Sequence, residues 1–311
     1  MAFATQKSKK GLAREDHIFG LESEATSLAD ALPDLSVEAM RIAATVAHGV
    51  HGRRRAGSGE NFWQFRLFQD SDSYSQIDWR RSASSDHLYI REREWEAAHT
   101  VWLWPDISSS MAFKSHLSNT TKRDRAVVLM LATAELLAKS GERVALIGRT
   151  NPTASRRAAA KLSEILAAEA KAGTATTGMP PPIALPRYSG TVMFSDFLEP
   201  IDALTERITQ IAANTVSGHL VQVLDPAEET LPYEGRTEFL GPDGNTRWIA
   251  DRAESLRDTY TTRLENHREA LREMAHRMGW SFMVHHTDRP ASEPLLNLIT
   301  RLQAPATLGG E

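Results

Sequence analysis

From Val101 onward, short apolar runs alternate with helical segments, and this alternation constrains the fold more than any other feature of the chain. The runs are "VWLW" at 101–104, "RVALIG" at 143–148, "TVMFSD" at 191–196, "HLVQVL" at 219–224 and "WSFMVHH" at 280–286. Apolar residues stand at consecutive rather than alternate positions, as they do in strands covered on both faces. Between the runs lie amphipathic segments. One extends from about Lys122 to Ser140, with a stripe of Ala126, Leu129, Met130, Leu136 and Leu137 closed by Gly141. Others are "RRAAAKLSEILAAEAKAG" at 156–173, a segment after Pro200 through Leu204, Ile208 and Ile211, one from about Asp251 to Met278 stopped by Gly279, and "ASEPLLNLITRLQ" at 291–303. Strands joined by helices must run parallel, because the chain returns to the same edge each time. The expected fold class is therefore α/β: a doubly wound, mostly parallel sheet with helices on both faces.

The rest of the chain divides around this region. Residues 1–20 form a basic tail, and from Leu21 a helix carries Leu28, Leu32, Leu35, Ala39, Ile42 and Val46 up to Gly49, with Pro33 as a potential break. Residues 50–98 hold extended segments such as "FWQFRLF" and "HLYIRE", read as an added β region. The expected organisation is 21–98 for the helix and added β region, 99–302 for the α/β domain, and 303–311 as a flexible end. Within the α/β domain, 231–250 reads as a β-hairpin insertion turning at Asp243-Gly244. Four prolines, at 180, 181, 182 and 186, confine 173–189 to a loop.

Composition narrows the chemistry. The 36 basic and 40 acidic side chains give a formal charge of −4, which provides no general attraction for nucleic acid or anionic membranes. There are no cysteines, so any metal must bind through oxygen or imidazole. No apolar stretch has the length of a membrane span and the basic N-terminus lacks the apolar core of a signal peptide, so a cytoplasmic chain without a membrane span is expected.

Three strands end in an acid: Asp106, Asp196 and Asp225. In an open parallel sheet the carboxyl ends of the strands border the ligand crevice. Carboxylates gathered there resist ionisation unless a cation compensates them. After Asp106 come Ser108 and Ser110, which add neutral oxygens; a hard ion such as Mg²⁺, or Mn²⁺, suits such a set. Asp and Ser also serve as ordinary caps and turn formers, and Asp225, followed by Pro226, reads that way.

Other motifs carry less. "HGRRRAGSG" has the glycine spacing of a phosphate loop but Ser58-Gly59 where Lys-Ser/Thr is required, and its arginines read as a docking surface for an acidic partner. Asp78, Arg80 and Arg81 read as structural ion pairs, and Trp63, Trp79 and Trp95 as packing residues. His285-His286 lack the spacing of a zinc site, and no G-x-S-x-G turn marks a serine hydrolase.

"DISSSM" before a helix, with "VMFSDF" later, resembles the metal-ion-dependent adhesion site of von Willebrand factor A domains. More specifically, "GRRRAGSGENFWQFR", "QIDWRRSA", "LYIREREWE", "SDFLEP" and "VLDPAEE" resemble the bacterial domain-of-unknown-function-58 family, over about Leu28 to Leu302. The resemblance implies a von Willebrand A-like domain with an added β region, and association with MoxR-type AAA+ ATPases in assembly or metal-insertion systems. Many members carry N-terminal transmembrane helices, from which this chain departs. Position by position, Asp106, Ser108 and Ser110 match the adhesion-site triplet and Asp196 its distal aspartate. The family's threonine ligand falls in "GTATTG", where Thr174, Thr176 and Thr177 are candidates and Thr174 fits best. The expected function is a non-enzymatic adaptor that binds Mg²⁺ or Mn²⁺ and recruits a carboxylate of the ATPase or its client. The rival expectations are a metal-dependent phosphohydrolase using Asp106 and Asp196, and a metal-free structural module.

Overall fold

The computed structural model describes residues 3–4, 16–50, 62–68, 74, 77–83, 85, 87–93, 99–172, 177–214, 216–241 and 246–302. Five strands form a wholly parallel sheet: β4 (Thr100–Pro105), β5 (Arg143–Leu146), β6 (Gly190–Ser195), β7 (Ser217–Leu224) and β10 (Ser281–His286). Their spatial order is β10-β7-β6-β4-β5. The chain starts in the middle of the sheet, steps outward to β5, then crosses back to β6 and proceeds the other way. Strand order therefore reverses between β4 and β6, and the crevice beyond their carboxyl ends is the place where such sheets bind ligands.

Alternate side chains of the strands feed two separate cores. On one face Val101, Leu103, Val192, Phe194, Val221 and Val223 meet α3 (Lys122–Lys139), α4 (Ala158–Lys171) and α8 (Ser292–Leu302). On the other, Trp104, Met193 and Leu220 meet α5 (Ile201–Ala212) and α7 (Arg257–Arg277). The chain is thus a mixed α/β protein with a parallel central sheet and helices on both faces. Its uninterrupted apolar strands follow from this double cover.

Helix α1 (Asp16–Val50) joins the first face: Leu28, Leu32, Leu35, Ala39 and Val46 are buried, and Ser36 bonds Ser163 of α4 at 2.9 Å. It runs through Pro33 without a break. A proline inside a helix costs about 3 kcal/mol, whereas each buried leucine or valine contributes roughly 1.5–3 kcal/mol. Pro33 itself is exposed, so the buried stripe decides. The described part of this helix therefore groups with the α/β unit, residues 1–50 and 99–311, while 51–98 is divided off as a second unit.

The hairpin expected at 231–250 is present as β8 (Thr237–Leu240) paired antiparallel with β9 (Arg247–Ala250), and β1 (Phe3–Ala4) adds to the free side of β8. Its turn residues 242–245 lie outside the described residues. The helix expected from Asp251 begins instead as a 3-10 turn over Ala253–Leu256 before α7.

In the 51–98 unit, β2 (Phe62–Leu67) pairs antiparallel with β3 (Tyr89–Arg93) around the short α2 (Trp79–Ser82). Asp78 accepts from the Arg81 backbone N–H at 2.9 Å, so its carboxylate caps α2, a structural use. Trp79 is 62% exposed and is not a packing residue. The "HGRRRAGSG" stretch and Trp95 lie outside the described residues.

Candidate cation centre at the sheet edge

Asp106 follows the last residue of β4 and is completely buried. Its Oδ1 accepts the Ser108 backbone N–H at 2.9 Å, and its Oδ2 accepts the Ser195 hydroxyl at 2.6 Å. The chain then makes a 3-10 turn over Ser109–Ala112, which brings the Ser108 and Ser110 hydroxyls to 3.1 Å from each other. On the neighbouring strand, Asp196 is 3% exposed and close enough for its charge to act on Asp106. Burial first, and the Asp196 charge second, push the Asp106 carboxyl up to about 6 against the opposing pull of the Ser108 and Ser195 hydrogen bonds.

The residues after Asp196 are held in a sharp turn. Phe197 adopts a left-handed backbone (φ 49°), its N–H donates to Ser195 Oγ at 3.1 Å, and its carbonyl accepts His267 Nε2 from α7 at 2.6 Å. A bulky residue in that conformation is strained, and such strain persists where surrounding contacts fix it. The Asp196 carbonyl also accepts Gln222 Nε2 at 2.8 Å.

A buried cation lies inside the cluster. Lys122, the first residue of α3, is fully buried, and its Nζ lies 2.8 Å from Asp196 Oδ2 and 2.6 Å from Glu228 Oε1. Burial alone would lower the lysine, but the two carboxylates outweigh it and raise it to about 12. Glu228 is pushed up to about 7, mainly by burial and further by Asp196, with Lys122 pulling the other way. Its second oxygen accepts the Asp225 N–H at 2.9 Å, while Asp225 accepts Ala227 N and Ser115 N at 2.9 Å each. Asp225 and Glu228 thus form the capping box of α6 (Pro226–Thr230).

Asp106, Ser108 and Ser110 therefore share one turn, and Asp196 lies close enough for its charge to act on Asp106. Thr174 and Thr176 lie outside the described residues; Thr177 is exposed, and its hydroxyl donates to Met179 O at 3.4 Å. The loop it belongs to does pass the site. A Cβ on Gly178 would stand 2.9 Å from Glu199 Oε1 and 3.6 Å from Asp106 Oδ2, so only glycine fits there without displacing Glu199. Lys122, Glu228, Ser195 and Glu199 were not singled out from sequence. Glu228 had a signal, the D-x-x-E capping box before a helix; Lys122 looks like any solvated lysine in a first turn.

Among the described residues no three acidic or imidazole groups converge tightly enough to hold an ion by themselves. The fit must come from Asp106 with the two hydroxyls. Ligands at 2.0–2.1 Å in an octahedron are separated by about 3 Å along each edge, which the 3.1 Å serine pair matches. Such a ligand set suits a hard ion that retains waters.

The family model for "Protein of unknown function DUF58" matches residues 64–270. The chain belongs to the DUF58 family. Relatives similar over nearly their whole length are Uncharacterized protein Rv1480 of Mycobacterium tuberculosis and Uncharacterized protein Mb1516 of Mycobacterium bovis. Each is 25% identical over 297 residues, covering 91% of this chain and 92% of the relative. Among solved structures, the conserved hypothetical protein BatB from Bacteroides thetaiotaomicron aligns with a TM-score of 0.40 and 12% identity, over 67% of this chain and 100% of that one. Among the described residues of this DUF58 protein no helix is long and apolar enough to cross a membrane.

Proposed function

We propose that this DUF58 protein is a non-enzymatic, cytoplasmic adaptor with a von Willebrand A-like adhesion-type site, which takes Mg²⁺ or Mn²⁺ and through it a carboxylate of a partner. The observation that carries the reading is the Ser108–Ser110 hydroxyl pair, 3.1 Å apart beside the buried Asp106. Asp106, Ser108 and Ser110 would hold the ion directly. Asp196, with one oxygen on Lys122 and the other accepting Leu198 N at 3.3 Å, would act through a water. A bound cation supplies an open coordination position for an incoming Asp or Glu side chain.

The chain's own residues prepare that position. Ser195 and the Ser108 N–H fix both oxygens of Asp106, so its orientation does not depend on the ion. Ser110 is the more exposed of the two serines, while Ser108 is buried. The negative surplus held in the crevice favours a cation and disfavours a partner carboxylate arriving alone. By the family resemblance the partner is a MoxR-type AAA+ ATPase or its client.

The test is capture of such an ATPase by the full chain with Mg²⁺, with excess chelator, and with Asp106→Ala. Capture is expected with Mg²⁺ alone and lost in the other two conditions. Equal capture in chelator contradicts the reading, as does turnover of a phosphoester by the Mg²⁺-loaded chain.

A further inference from the structure

The position of Lys122 is unfavourable for a lysine by ordinary rules. It is the first residue of α3, where the helix dipole repels a positive charge, and it is fully buried, where an ammonium loses its hydration. The backbone keeps it there: Thr121 caps the helix by accepting Asp124 N at 3.0 Å, and Lys122 N donates to Phe113 O at 3.2 Å. From this anchor the side chain runs inward until its ammonium lies between Asp196 and Glu228, with the Phe113 ring 6.0 Å away. One carboxylate oxygen from the residue after β6 and one from α6 thus lie 2.8 and 2.6 Å from one point. Calcium–oxygen distances are about 2.3–2.6 Å, so the point would accept a metal ion after a shift of a few tenths of an ångström.

We infer that Lys122 is the specificity-determining residue of the cation centre: its ammonium fills the position between Asp196 and Glu228 that a second ion would otherwise take. The inference rests on the adhesion-type reading for the place of the first ion, beside Asp106. Acids crowd three neighbouring strand ends, and Glu199 adds another carboxylate by the Gly178 loop, so carboxylates alone do not limit the centre to one metal. Lys122 supplies a fixed, non-exchangeable charge. It ties up Asp196 Oδ2 and so keeps that residue one water away from the first ion. It also links the centre to α6, because Glu228 carries the ammonium on one oxygen and the Asp225 N–H on the other.

The experiment counts Mn²⁺ bound to the full chain by electron paramagnetic resonance of the free ion, and records melting temperatures with and without Mn²⁺. Lys122→Ala vacates the position and leaves both carboxylates; it is expected to bind one Mn²⁺ more than wild type, with a larger rise in melting temperature on adding the ion. Lys122→Ala/Glu228→Gln removes one negative charge together with the positive one, and is expected to return to the wild-type count. A Lys122→Ala chain that binds no additional ion and gains no additional thermal stability from Mn²⁺ overturns the inference, whether or not it folds without the ion. A wild type that binds one ion and a Lys122→Ala chain that also binds one leave the adhesion-type site standing and remove the role of Lys122. A wild type that binds none while Lys122→Ala binds one does the reverse.

Discussion

Asp106 and Asp225 occupy the same kind of position, the first residue past an apolar parallel strand, yet they are held in different ways. Asp225 spends both oxygens on backbone N–H groups, of Ala227 and Ser115, and so closes a helix start and pins a loop. Asp106 accepts one backbone N–H and one hydroxyl, and stands beside a second carboxylate that raises its proton affinity. The first arrangement satisfies a carboxylate with neutral donors, whereas the second leaves a buried carboxylate whose charged form is disfavoured by burial and by Asp196. The residues immediately C-terminal to each acid set the difference: Pro226 and Glu228 build a capping box, while Ser108 and Ser110 build a turn of hydroxyls. Lys122 joins the two regions through Asp196 and Glu228.

Breaking that joint should have the largest effect. Lys122→Met leaves two buried carboxylates without their shared ammonium, and removing one partner of a buried pair costs about 3–5 kcal/mol. The midpoint of urea unfolding in chelator should fall accordingly, and an unchanged midpoint would show that the two strand ends are not coupled. Asp225→Ala comes next. It strips a cap and a loop anchor together, for a loss of about 1–3 kcal/mol, read by the same titration and expected to be the same with and without Mg²⁺.

The pH dependence of the metal-free chain has two limbs of opposite sign. Asp106 and Glu228 are raised to about 6 and about 7, so the folded chain retains protons that the unfolded chain has released. Stability from these groups therefore falls as pH rises between about 4 and 7. His285 behaves in the opposite way: burial first, then Arg125, lower it to about 3, so the unfolded chain takes up a proton that the folded one refuses. Its contribution is present above about 6.5 and is lost as pH drops toward 3. Unfolding midpoints across this range in chelator should show both limbs, and Asp106→Asn should reduce the rising-pH loss to the part that Glu228 contributes while leaving the acid limb intact.

Much of this architecture is legible in the residues themselves. The five apolar runs became the five parallel strands, and the helical stripes became the helices of both faces, because double cover of the sheet leaves a strong pattern. Pro33 misled because local propensity ignores how much surface the rest of α1 buries. The triplet Asp106, Ser108 and Ser110 was readable from spacing, since two-residue steps after a strand keep three side chains within one turn. Lys122 was not, because its partners lie 74 and 106 residues away and nothing local distinguishes a lysine that turns inward. Ser195, one residue before Asp196, was likewise hidden as the end of an apolar strand.

Ser110→Ala should perturb the fold least. It is expected to weaken Mn²⁺ binding several-fold while moving the unfolding free energy by less than about 0.5 kcal/mol, as substitutions at partly exposed positions do. Stability lost without any change in affinity would assign the hydroxyl to the turn rather than to a ligand.

The most direct measurement is a calorimetric Mn²⁺ titration of wild type, Asp106→Asn and Asp225→Asn side by side. One ion is expected to bind to wild type and to Asp225→Asn, and none to Asp106→Asn at the same concentrations. Binding by Asp106→Asn as tight as wild type, or no binding by any of the three, would contradict the adhesion-type reading.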